Sequence, residues 1–163
     1  MIFKTFWRNK NKKQDKKAEI INTLDSFKYK TVIEIRFADF DMMGHVNNAV
    51  YFTYMEIARS KYWNHAIQWD WKKTGVVIAQ ASLDYILPVF IDDKISMYVR
   101  TSRIGKSSFD LEYLLVKLVN GKEEICNKGK TICVAFDYST KSSFPIPQDE
   151  RDRMISFEQL DNS

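Results

Sequence analysis

Apolar residues recur every three to four positions from Tyr51 to Tyr62, and every second position over most of the chain from Val77 to Tyr138. That switch of period, from about 3.6 to 2, calls for one long helix followed by a run of strands. Tyr51, Tyr54, Met55, Ala58 and Tyr62 form the helical stripe, and Phe52 and Ile57 widen it. A helix apolar over so wide an arc is expected to be substantially buried, and to end near Asn64. Thr31–Phe37 alternates ahead of it and reads as a strand. Val77, Ala79, Ala81, Leu83, Tyr85 and Leu87 make the next alternating set, stopped by Pro88. Ile95–Thr101, Phe109–Leu118 and Glu123–Tyr138 supply three more strands. Asn120-Gly121 is a type I′ turn signal between the last two, because both positions of that turn need positive φ. One helix among antiparallel strands is an α+β pattern: a sheet of about five strands wrapped around one long central helix. Residues 149–160 read as a short polar helix or a frayed end.

The charge divides unevenly. Of the net +4, residues 1–17 hold seven Lys/Arg against Asp15 alone, so the remainder is slightly acidic. The chain therefore divides into a basic N-terminal arm (1–28), a folded domain (29–140) and a C-terminal tail (141–163). Such an arm is either solvated or in weak contact with an anionic membrane surface, Ile2, Phe3, Phe6 and Trp7 giving it interfacial character. No helix-turn-helix or zinc pattern accompanies it, so no nucleic-acid partner is expected. The 163 residues, 45% hydrophobic and 14% aromatic, suffice for one real core. No run reaches the roughly 18 uninterrupted apolar residues of a membrane helix, and Met1–Trp7 lacks the long apolar stretch and cleavage site of a secretory signal. Cys126 and Cys133, too far apart along one extended strand to bridge, read as free thiols in a reducing cytoplasm. With two histidines and no ligand cluster, no metal and no cofactor are expected.

Candidate chemistry concentrates between Arg36 and Tyr51. A strand-like run leads to Asp41, Gly44 permits a tight turn, and His45, Asn47 and Asn48 lead into the helix. A carboxylate, an imidazole and the unpaired N–H groups of a helix start then share one small volume. Those groups suit hydrolysis at a carbonyl: the carboxylate activates water or attacks directly, and the amides receive the developing negative charge. Asn47 is open to three roles, as helix cap, hydrogen-bond partner of Asp41 or substrate contact. Asp39 reads as a solvated strand-end charge, and Glu56 as structural.

The order Asp41-x-x-Gly44-His45-Val46-Asn47-Asn48-x-x-Tyr51, preceded by Arg36, resembles the active-site signature of hotdog-fold acyl thioesterases of the 4-hydroxybenzoyl-CoA thioesterase type, and of the related acyl-ACP thioesterases. The likeness runs from about Tyr29 to about Tyr138. It implies the hotdog fold and acyl-CoA hydrolysis, with Asp41 as base or nucleophile, the Asn48 amide polarising the thioester, and a site role for His45. Acyl-ACP thioesterases carry an Asn two residues after the Asp, where this chain has Met43, which favours coenzyme A over the acyl carrier protein. Arg103-Ile104-Gly105-Lys106-Ser107-Ser108 resembles the family's Gly-x-Ser-Ser turn, and Arg103, Lys106, Ser107 and Ser108 suit phosphate oxygens. The resemblance further implies a homodimer or homotetramer with sites between subunits. The alternatives are a non-catalytic acyl-binding module and an acyl-ACP thioesterase.

Overall fold

A computed structural model describes residues 23–160 of the chain; the basic run Lys4–Lys17 lies outside them. Five strands form one antiparallel sheet: β1 (Tyr29–Ile33), β2 (Gly75–Tyr85), β3 (Ile95–Ile104), β4 (Ser108–Val119) and β5 (Lys122–Asp137), in the order β1-β3-β4-β5-β2. A two-residue β6 (Ser142–Ser143) pairs with the end of β5. The long helix α1 (Val50–His65) lies in the concavity, packed over β1 and β3. This is the hotdog arrangement of a curved antiparallel sheet about a central helix.

The helical stripe behaves as its spacing requires. Tyr51, Tyr54, Met55, Ala58, Tyr62 and Trp63 are buried. They meet Met97, Val99, Leu111, Tyr113 and Leu115 on the inner face of the sheet. Fully burying one such side chain is worth ~1.5–3 kcal/mol, so this layer supplies most of what holds helix to sheet. Trp63, Trp69 and Phe109 cluster at the C-terminal end of α1 in tilted and edge-to-face contacts, with ring centroids 5.2–6.3 Å apart. The Asn120-Gly121 turn forms as expected, with φ of 51° and 73°.

Four readings of the sequence are corrected. The first strand is Tyr29–Ile33 rather than Thr31–Phe37, because Asp39 binds both the backbone and the side chain of Arg36 and turns the chain into a short 3-10 turn at Phe37–Asp39. In β2 a bulge between Ile78 and Gln80 breaks the alternating set, so Val77 and Ala81 fall on opposite faces. Phe52 does not join the buried stripe: it is 41% exposed. α1 begins at Val50, with Ala49 at its cap, rather than near Asn48.

Past β6 the chain forms α2 (Gln148–Glu158), which packs against β3 and buries Met154. Polar ties fix it. Glu158 accepts hydrogen bonds from the Tyr62 hydroxyl (2.6 Å) and the Thr101 amide (3.0 Å), and Arg153 donates to the Ile67 carbonyl. On the outer face, Phe27 packs edge-on to Tyr98 and under Arg100, within a second small cluster with Leu114, Val116 and Ile125. Both cysteines are buried free thiols, their pKa pushed up to about 11 by burial. Among the described residues no helix is long and apolar enough to cross a membrane.

Candidate functional site

Residues 39–47 fold back on themselves as a miniature antiparallel ladder. Phe40 and Val46 form an isolated bridge, the Asp41 amide donates to the His45 carbonyl (3.1 Å), and the Asn47 amide donates to the Asp39 carbonyl (2.9 Å). Gly44 closes the tip at φ +78°, a left-handed conformation that side chains resist. Val46 is buried and its amide donates to Val89, which anchors the loop to the segment after β2. With Val46 facing inward, Asp41 and His45 share the opposite, wetter side. Their side chains are 26% and 32% exposed, and Asp41 Oδ2 lies 3.4 Å from His45 Nδ1. Asp41 Oδ1 accepts from the Met43 amide at 2.8 Å, which fixes the carboxylate's direction.

The ladder delivers the chain to the helix start. Asn47 Oδ1 accepts from the Ala49 amide and the Asn47 carbonyl from the Val50 amide, so in the free protein this side chain closes the turn ahead of the helix, two residues before the Ala49 cap. The Asn48 amide donates to no acceptor among the described residues. The Asn48 carbonyl is pinned from β2 by the Tyr85 hydroxyl at 2.8 Å. An unpaired N–H at a helix N-terminus, on a residue whose carbonyl is held by the Tyr85 hydroxyl, is chemically suited to a developing oxyanion.

Asp39 is not the solvated charge its position suggested. It is 1% exposed, with Oδ2 receiving the Tyr54 hydroxyl and the Arg36 amide (2.8 Å each) and Oδ1 the Arg36 guanidinium. Burial alone would raise its pKa. The Arg36 amide, the Tyr54 hydroxyl and the Arg36 guanidinium together outweigh that and hold the carboxyl below its usual value. Asp39 thus braces the loop that carries Asp41. The sequence signal for it was present in Arg36 and Asp39 three apart, followed by a buried tyrosine stripe, but only burial distinguishes it from a surface pair.

The structure groups Asp41, His45, Asn47 and Asn48. It does not bring Arg103, Lys106, Ser107 and Ser108 to them. That hairpin tip sits beside Val134, while Tyr85, which touches Asn48, sits beside Asn127, about 20 Å away along β5. Arg103 is already engaged there by Asp110 (2.6 Å), which Lys130 also binds at 2.9 Å. Lys106 is exposed, with no ion pair among the described residues. A cleft of ≈ 440 Å³ lined by Trp71, Lys72, Tyr138 and Phe144 opens toward that end, away from Asp41. Glu56 is exposed and its carboxylate has no partner among the described residues. No cluster of three or more His, Cys, Asp or Glu among the described residues could hold a metal ion.

The model of the thioesterase-like superfamily matches residues 35–154 of this chain. The chain belongs to that superfamily. A thioesterase from Thermus thermophilus, solved in complex with coenzyme A and zinc, superimposes with a TM-score of 0.73 at 33% identity, covering 83% of this chain and 98% of its own. The uncharacterized protein YsmA of Bacillus subtilis is 29% identical over 131 residues, which is 80% of this chain and 87% of that protein. A 4-hydroxybenzoyl-CoA thioesterase mutant in complex with 4-hydroxybenzoyl-CoA shares the fold, with a TM-score of 0.71 at 15% identity over 77% of this chain and 97% of its own. Residues 35–154 of this superfamily member hold the Asp41 loop, α1 and the whole sheet after β1. Thioester hydrolysis is therefore the activity class to which its site geometry must be related.

Proposed function

We propose that this protein hydrolyses an acyl-CoA to the free acid and coenzyme A. The observation that carries the reading is the loop geometry: a fixed, water-accessible carboxylate on Asp41, beside His45, at the entry to a helix whose Asn48 amide is unpaired. A thioester carbonyl with its oxygen on the Asn48 N–H presents its carbon to water held by Asp41, or to Asp41 itself. Attack moves the carbonyl electrons onto the oxygen, where the amide and the helix dipole stabilise them. When water attacks, collapse expels the coenzyme A thiolate, which takes up the proton that Asp41 removed. When Asp41 attacks, collapse leaves an Asp41–acyl anhydride and the thiolate takes its proton from solvent; water then splits the anhydride, releasing the acid and restoring the carboxylate. His45, within reach of Asp41, orients the carboxylate and supplies a further proton route. Asn47 and the hydroxyls of Ser107 and Ser108 are assigned substrate contacts, Lys106 and Arg103 the phosphate end of the carrier. The T. thermophilus thioesterase, whose structure holds coenzyme A, supports this carrier over the acyl carrier protein.

The hairpin tip is too far along the sheet to share one protomer's Asp41 with a compact ligand, which supports a site built between two copies. The apolar surroundings of the loop point the same way: Met42, Met43, Phe90 and Ile91 are all exposed. The test is release of free thiol from acyl-CoAs of graded length and from the matching acyl carrier protein thioesters. Turnover of the coenzyme A series is expected, and its loss by two or more orders of magnitude in Asp41→Asn. Tight binding without thiol release from any thioester would establish an acyl-binding module instead, and turnover confined to the carrier-protein series an acyl-ACP thioesterase.

A further inference from the structure

α1 approaches β1 and β3 most closely, and the inward residues of β5 are covered (Asn127, Thr131 and Cys133), whereas the inner face of the edge strand β2 flanks the helix. On β2, Ile78, Ala81, Leu83 and Tyr85 pair with Cys133, Thr131, Gly129 and Asn127 and share their inward face. Yet Ile78, Ala81 and Tyr85 remain exposed. The result is an open apolar wall beside α1. On the helix, Phe52, Met55 and Arg59 recur at three- to four-residue spacing. Met55 reaches the Gly129 position of β5, where a Cβ would come within 2.9 Å of its sulfur, which sets this side of the helix against the same strand.

Arg59 is the anomaly on that side. Its Nε is fully enclosed and has no hydrogen-bond partner. Its guanidinium sits 5.3 Å from the Trp63 ring centroid and close enough to the Tyr113 hydroxyl and the Cys133 thiol to bias both. Burial raises the Tyr113 hydroxyl to about 12 against the lowering effect of the Arg59 charge and of a hydrogen bond from Arg59, so a neutral hydroxyl is the one polar group among the described residues to which the guanidinium donates. Arg36, Arg100, Arg103 and Arg153 each hold a carboxylate, and Arg151 holds the Gly105 carbonyl. Among the described arginines Arg59 alone holds neither. A part-buried cation without an anion is costly, and its planar fork matches a carboxylate in two parallel hydrogen bonds. Tyr113 and Thr131, joined at 2.9 Å, place hydroxyls on the floor beside it.

We propose that Arg59 is a specificity-determining residue that binds a carboxylate at the far end of the acyl group. This rests on the thioesterase reading above. Arg59 stands nine residues past the first residue of α1, about 14 Å along the axis, and helical side chains lean back toward the N-terminus. A thioester held at the Asn48 amide therefore directs its acyl chain along α1, past Phe52 and the β2 wall, toward the guanidinium. The reacting carbonyl stays at one end of the helix and the recognised anion lies beyond it.

The experiment compares acyl-CoAs of equal length ending in a methyl or in a carboxylate, over a series of lengths, by thiol release. Wild type, Arg59→Met and Arg59→Lys are each measured, with thermal melts to establish folding. The carboxylate-ended series is expected to lead by ~10-fold or more in kcat/KM at its best length. Arg59→Met should bring that ratio close to one, and Arg59→Lys, which keeps the charge but loses the fork, should fall between. A wild-type ratio near one at every length overturns the inference and leaves thioester hydrolysis standing. So does a ratio that survives in Arg59→Met. Loss of subunit association in Arg59→Met with the ratio unchanged assigns the cation to a partner copy's carboxylate and also overturns it. If wild type cleaves neither series, the hydrolytic reading fails. The anion site is then judged by the melting-temperature rise that free dicarboxylic acids give to wild type over Arg59→Met, and equal rises overturn it.

Discussion

Asp39 and Asp41 stand two residues apart in opposite environments. Asp39 is enclosed and saturated by Arg36 and Tyr54, whereas Asp41 keeps a water-facing oxygen near His45. Asp41→Asn keeps size and shape and removes the basic oxygen, so thioester turnover should fall 100-fold or more while the melting temperature holds. Asp39→Asn puts an NH2 group where donors already point and should cost about 2 kcal/mol of stability, read as an earlier urea midpoint. The two measurements in parallel separate chemistry from scaffold. If Asp41→Asn retains near-normal turnover, the catalytic carboxylate lies elsewhere, and Glu56 is next in line. Asp39 also sets a pH dependence. Its folded pKa lies below the ordinary value, so its contribution is present above the unfolded value of about 3.9 and is lost as pH falls through the folded value. Asp110, depressed by Arg103 and Lys130 against the opposing effect of burial, adds to the same acid-side loss. A stability profile flat from pH 5 down to 2 would contradict both.

At the scale of elements, α2 and the β3–β4 hairpin carry the clearest expectations. Burial raises the Glu158 carboxyl, against the lowering hydrogen bonds from Tyr62 and Thr101. The folded state therefore holds its proton to higher pH than the unfolded chain does. Stability from this group is fully present below the unfolded value of about 4.3 and declines as pH rises through the folded one. Glu158→Gln keeps the accepting oxygen and removes the charge, so it should match or exceed wild type in melting temperature at pH 7, with the difference vanishing below about pH 4. In the hairpin, Arg103→Ala mixes two effects because it strips Asp110 of one of its two cations. Lys106→Ala is cleaner: it should raise KM for coenzyme A thioesters severalfold and spare pantetheine thioesters that lack the nucleotide phosphates. Equal losses on both would remove the phosphate assignment.

The sheet ends at β2, an eleven-residue edge that pairs with no further strand among the described residues and carries exposed apolar side chains on its inner face. Such an edge invites a second copy. Sedimentation should show a dimer or larger assembly. Mixing Asp41→Asn subunits with Lys106→Ala subunits should return a wild-type KM to part of the turnover, through hybrid sites that join one parent's Asp41 to the other's Lys106. A fully active monomer at working concentration would rule that architecture out.

Periodicity alone determined the helix, the antiparallel run after it and the Asn120-Gly121 turn, because 3.6- and 2-residue repeats and positive φ are local properties. The ordered motif from Asp41 to Tyr51 located the candidate site for the same reason: loop, imidazole and helix start are neighbours in sequence. Tertiary structure decided the rest. Asp39 reads as a surface charge until Tyr54 closes over it. The β2 bulge is invisible to a count of alternation. Arg59 is one polar residue on a helix until the off-centre packing of α1 sets it over Tyr113 and Cys133. The hairpin from Arg103 to Ser108 matches a motif, yet its distance from Asp41 depends on which strands lie side by side. Burial, pairing and separation are sums over residues far apart in the chain, and no local pattern contains them.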